Sequence, residues 1–259
     1  MWTFEHFLAI VPAFVIMIAI ALVLRKFLID KPLHIRMIPF QVCTVILLIS
    51  EVIKQIVSIG YNGEIYRLYS LPFHVCSLFL FLFPLMSFYK GKHSDLINTF
   101  ACTVSGALSI FMVILPTMLY PVNEIVEWNT NYLYFHTVFF HNLVLFMFIL
   151  IVALELHTPK KKSYLKEVII GAYVYCLHAV ALSYVLQTNF SNFYSCNMPG
   201  IDGVVAAIKA STNEAIGQAF YVFVLIGLHI GFFILSYYVY KLIASAINKL
   251  TSKANKQVE

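Results

Sequence analysis

His74 and Cys76 stand in the stretch Ser70-Leu-Pro-Phe-His-Val-Cys-Ser, at the mouth of an apolar run about twenty residues long. A thiol with an imidazole behind it is the usual equipment for covalent acyl transfer. Ionisable groups within hydrocarbon are costly, so each one here is a functional candidate. Glu51, Lys54 and Gln55 form an i, i+3, i+4 stripe in the preceding run. His136, His141 and Asn142 lie in a later run, and Asn189 closes another.

The elements that carry these residues follow from composition. Hydrophobic residues make up 61% of the chain and charged residues 11%, which describes a chain dissolved in lipid. About seven apolar runs, near 8–28, 37–59, 71–89, 95–119, 132–156, 165–187 and 216–244, are each long enough to cross a bilayer as a helix. They do not alternate as barrel strands do. The fold expected is all-α: a polytopic helical membrane protein, one seven-helix domain over residues 1–259. The first run lacks a basic start and a small-residue cleavage site, so it reads as a retained helix.

Basic residues set the expected orientation. Arg25, Lys26, Lys31 and Arg36 follow run one, Lys90 and Lys92 follow run three, and Lys160, Lys161, Lys162 and Lys166 follow run five. Lys241, Lys249, Lys253 and Lys256 fall at or after the end of run seven. The alternate loops hold only Arg67 and Lys209 among several carboxylates. The amino terminus is therefore expected outside and the carboxyl terminus in the cytoplasm. Trp2, Tyr61, Tyr66, Tyr69, Tyr120 and Trp128 fall near the outer ends, as interfacial aromatics do. The net charge of +5 then meets anionic lipid at the cytoplasmic face, and no nucleic-acid partner is implied.

With regular helices, Pro72 suits a first turn that Ser70 caps. Cys76 then lies about 8–9 Å below the outer end of its span, and His136 and His141 roughly 8 and 15 Å below theirs. Polar groups gather in the outer half, and few are expected in the inner half. His74 and Cys76 would diverge by about 200° around a regular helix, so the thiol's partner must come from another helix, with His136 or His141 at compatible depth. Those two diverge by about 140°. Lys54, backbone amides at the start of the third run, or Asn142 are candidate oxyanion donors.

Plain structural roles account for other polar residues. Cys43, Cys102 and Cys176 read as small apolar packing, and the odd cysteine count gives Cys196 no evident partner. Glu51 and Lys54 read equally well as a neutralising intrahelical pair. No HxxxH or CxxC spacing, phosphate-binding glycine loop or G-x-S-x-G occurs, so neither a metal nor a cofactor is expected.

Leu71-Pro72-Phe73-His74-Val75-Cys76 resembles the L-P-x-H-x-C signature of the YwaF-type bacterial integral membrane proteins. Gly106-Ala107 resembles that family's small-residue patch, and Phe135 to Asn142 its histidine-bearing fifth span. Thr188-Asn189-Phe190, followed by Pro199, resembles its asparagine-aromatic turn, and His6 falls where such proteins carry a histidine. The chain departs from the pattern at Pro116 and Pro121, at Ser109 and at Phe190. Those proteins are similar in turn to the transmembrane protein 164 family, implicated in moving acyl chains between phospholipids. The resemblance implies Cys76 as nucleophile and His141 as base, with phospholipids and lysophospholipids as partners in the cell membrane. His74, His136, Asn142, Glu51, Lys54 and Asn189 are supporting candidates. The competing expectation is a proton-coupled or small-molecule carrier using Glu51, Lys54, His178 and His229. Oligomeric state is left open.

Overall fold

The computed structural model describes residues 3–60, 66–119, 122–157, 164–195 and 201–256. In chain order the helices are α1 (Phe4–Leu28), α2 (Leu33–Arg36), α3 (Ile38–Gly60), α4 (Phe79–Phe88) and α5 (Ser94–Ile114). They continue as α6 (Val122–Val126), α7 (Tyr132–Ala153), α8 (Leu165–Val185), α9 (Ile201–Ser211) and α10 (Glu214–Lys256). Among the described residues there is no strand. A helix pairs its own backbone groups, so it is the form open to such apolar runs in hydrocarbon. Six helical segments are long and apolar enough to cross a membrane, and a shorter apolar one spans Val75–Phe88. The protein is a multi-pass helical membrane protein. Trp2, Tyr61, Tyr120, Pro121, Cys196, Pro199 and Lys160 to Lys162 lie outside the described residues. So do the side chains of Lys249, Lys253 and Lys256.

α5 is the central helix. Of its most apolar stretch 61% is buried, against 17% for α1 at the perimeter. It packs against α4, α7, α8 and α10, while α3 packs on α7 and α4, and α1 on α7. The hydroxyls of Thr99, Thr103, Ser105 and Ser109 can sit in this core because each donates to the carbonyl four residues back. Phe79, Phe83, Val144, Met147 and Leu150 fill the space between α4, α5 and α7. Gly106 brings the α5 backbone against α7: a Cβ added there would sit 3.3 Å from the Phe148 ring.

The third span differs from the expected regular helix. Leu68–Ser70 forms a short 3-10 turn, and the helical backbone begins only at Val75, as a 3-10 turn that runs into α4. His74 is extended at φ −72°, ψ 159°, and its side chain makes no capping bond. Ser70 therefore caps nothing here and Pro72 precedes the helix. The 14 residues of Val75–Phe88 rise about 20 Å, short of the roughly 30 Å of hydrocarbon, so residues 71–74 must carry the chain the rest of the way. Cys76 sits in the first turn of its span, nearer the end than a regular helix from Leu71 would place it. The angular argument separating it from His74 does not apply, because His74 is not helical.

The opposite, Arg25-bearing end holds more polar groups than expected. Arg25 pairs with Glu155 at 2.9 Å and also donates to the Ala153 carbonyl. Arg36 donates to the Leu154 carbonyl at 2.9 Å. Both guanidinium groups thus meet the exposed carbonyls where α7 ends, with Glu155 in a left-handed turn at φ 50°. His157 lies 3.0 Å from the Thr99 hydroxyl and 4.0 Å from Asp95, and its carbonyl accepts from Tyr240 at 2.9 Å. These partners are up to 130 residues apart, so inspection of single spans cannot pair them. The short helices α6 and α9 were likewise not expected from hydropathy.

Candidate functional site

At the Cys76 end, the polar stripe of α3 turns inward against α7. Glu51 is 8% exposed, and its carboxylate takes the Lys54 ammonium at 2.8 Å, the Gln55 amide at 2.5 Å and His136 Nε2 at 3.4 Å. Gln55 also donates to the Ser70 carbonyl at 2.9 Å and accepts from the Tyr66 hydroxyl. The stripe therefore ties α3 to α7 and to the segment leading into Cys76. The intrahelical pairing of Glu51 with Lys54 is real, and His136 joins it.

Cys76 is half-buried against the apolar cluster that fills the core. The thiol stands in the first turn of its span, just after the segment that Gln55 ties to α3 through the Ser70 carbonyl. His141 is 7% exposed, and its Nδ1 lies 2.9 Å from the Thr137 carbonyl. A carbonyl only accepts, so Nδ1 carries the proton and Nε2 is the ring's basic nitrogen. Glu51 and Lys54 on α3 thus meet His136 on α7, with His141 farther along α7 and His74 and Cys76 at the start of the third span.

His74 has both ring nitrogens engaged. Nε2 donates to the Tyr69 carbonyl at 3.3 Å, and Nδ1 accepts from the Ser191 amide at 3.3 Å. Its ring also meets Tyr69 and Phe190 edge-on, with centroids 4.4 and 5.4 Å apart. A ring held at both nitrogens is a strut between the third span and the turn after α8.

Two supporting candidates bond within their own segments. The Asn142 amide donates to the Val138 carbonyl of its own helix at 2.8 Å. The Asn189 side chain accepts from the Tyr194 and Ser195 amides, at 3.0 Å each, and so shapes the turn itself. The carrier residues do not converge. His178 is exposed on α8 and bonded to the Val174 carbonyl, and His229 is bonded to the Leu225 carbonyl and stacked on Phe193. Among the described residues no three His, Cys, Asp or Glu side chains converge as a metal site would require.

The TMEM164 family model matches residues 1–240, from before α1 to Tyr240 in α10. The chain belongs to the TMEM164 family. No curated protein and no solved structure matches it. The match takes in the first five long apolar helices and most of the sixth.

Four residues of the site carried no signal in the sequence. Ser191 and Tyr175 meet at 2.6 Å against the segment before Cys76. Thr137 supplies the carbonyl that sets the His141 tautomer. Glu124 is partly buried on α6 outside the spans, and burial pushes its carboxyl above the ordinary range. Serines and tyrosines are common in spans and turns, and nothing in their spacing marks these four.

Proposed function

We propose that this TMEM164 family chain is a membrane-embedded cysteine acyltransferase acting on phospholipids, with Cys76 as nucleophile and His141 as base. The supporting observation is the His141 tautomer: Nδ1–H is held by the Thr137 carbonyl, so Nε2 is the nitrogen able to take a proton. Cys76 and His141 both lie in spans of a chain whose substrate would arrive through lipid.

In the first half-reaction the Cys76 proton passes to His141 Nε2 as sulfur attacks the ester carbonyl of a phospholipid. The C–S bond forms and the ester C–O bond breaks. The imidazolium returns its proton to the departing lysophospholipid oxygen, leaving a thioester on Cys76. In the second half-reaction His141 takes the proton of an incoming lysophospholipid hydroxyl as its oxygen attacks the thioester. The C–O bond forms, the C–S bond breaks and the proton returns to sulfur. The Lys54 ammonium would meet charge on the tetrahedral intermediates. Water in place of the lysolipid would make the same chemistry a lipase.

The test uses purified protein in vesicles with an isotopically labelled phospholipid and an unlabelled lysophospholipid. Cys76→Ala should abolish transfer, and the wild-type protein should accumulate a hydroxylamine-sensitive acyl group on the Cys76 peptide. Transfer at the normal rate by Cys76→Ala would overturn the proposal.

A further inference from the structure

The turn after α8 completes the start of the Cys76 span. The first amides of a helix have no partner within it, and at membrane depth an unpaired amide is expensive. The Val75 amide donates to the Ser191 hydroxyl at 3.0 Å, across 116 residues. Ser191 Oγ and Tyr175 Oη are 2.6 Å apart, and Tyr175 donates to the Phe73 carbonyl at 3.4 Å. Each hydroxyl has one proton, so the directions are determined: Val75 N–H to Ser191, Ser191 O–H to Tyr175, Tyr175 O–H to Phe73. The Ser191 amide meanwhile donates to His74 Nδ1, and His74 Nε2–H to the Tyr69 carbonyl.

Three consecutive residues, Phe73, His74 and Val75, are therefore held at a carbonyl, a ring and an amide just before Cys76. The holding residue is strained to do it. Ser191 lies at φ 48°, ψ 32°, and Asn192 follows at φ 67°. Phe190, fully buried and set edge-on to Phe73 at 5.5 Å, anchors the turn on the same segment. The strain, the closed bond circuit and the anchor all converge on the residues that aim the thiol.

From this we infer that Ser191 is a positioning residue for Cys76, with Tyr175 and His74 completing the clamp. The inference rests on the reading of Cys76 as the acyl carrier, but its geometric part can be measured without acyl transfer. Ser191→Gly removes the hydroxyl and keeps a residue at ease with positive φ. Tyr175→Phe keeps the ring and removes the relay, so it serves where the glycine variant does not fold.

The probe is a maleimide on a long alkyl chain, reacted with the whole protein in vesicles and quantified on the Cys76 peptide. Either variant should lower the saturated labelling rate on the order of tenfold, leaving the half-saturating probe concentration unchanged. A role in fold stability alone would lower the thermal midpoint and leave that rate as in wild type, which overturns the inference. If the labelling rate falls yet Cys76→Ala still transfers acyl chains normally, the clamp stands and the acyltransferase reading fails.

Discussion

Glu51 on α3 and His136 on α7 meet across the bundle, with 3.4 Å between Oε2 and Nε2, while the other carboxylate oxygen takes Lys54 and Gln55. One carboxylate thus gathers two donors and a histidine ring where bulk water is scarce. A buried charge without its partner is far more costly than the pair is beneficial. The network is therefore all-or-none in its energetics.

Glu51→Gln and Lys54→Met should each destabilise the protein by about 3 kcal/mol, because each leaves a buried charge uncompensated. The double replacement Glu51→Leu, Lys54→Met should recover much of that loss. Thermal unfolding in detergent micelles measures all three. Strictly additive losses would show that the two side chains are not coupled.

The two histidines of α7 should separate cleanly. His141→Asn keeps a donor for the Thr137 carbonyl but has no basic nitrogen, so acyl transfer should fall on the order of 100-fold with little change in thermal midpoint. His136→Ala removes a partner of Glu51, so it should lower the midpoint and affect transfer less than tenfold. Transfer rates and midpoints measured on both variants would expose a reversed pattern, with His136 as the base.

Glu124 should make stability fall as pH rises. Burial favours its neutral carboxyl, so its folded-state pKa lies above that of the unfolded chain. That contribution is present in full in acid and is lost as pH rises through the elevated folded pKa. Thermal midpoints of the wild type should therefore decline relative to Glu124→Gln from the ordinary carboxylate range near 4.3 upward. Parallel curves for the two proteins would contradict this.

Orientation is open to a direct measurement. Thr130 and Lys92 are both exposed, in loops at opposite ends of the bundle. The loop charges predict Thr130 outside and Lys92 in the cytoplasm. In intact cells a membrane-impermeant thiol reagent should label Thr130→Cys, and should label Lys92→Cys only after lysis. The reverse result would invert the protein.

Much of the architecture was legible because the bilayer imposes a length on every apolar run. The expected span at 132–156 became Tyr132–Ala153, and that at 165–187 became Leu165–Val185. The third span was legible as an apolar run but not as a broken helix. Its first residues are unwound because their partners, Ser191 and Tyr175, arrive from more than 100 residues away. Hydropathy reports how apolar a segment is, and nothing in it records that a remote turn will take over the work of a helix cap.

The polar cluster divides in the same manner. The sequence alone determined that Glu51, Lys54 and Gln55 share a face, because helical periodicity is local. It also marked Cys76, His136 and His141 as costly groups in lipid. The tertiary structure decided that His136 joins Glu51, that Thr137 sets the His141 tautomer, and that His74 is a strut with both nitrogens engaged. Which partner a side chain meets depends on how helices pack and how the connecting turns bend. Those follow from the whole core rather than from the spacing within any one span.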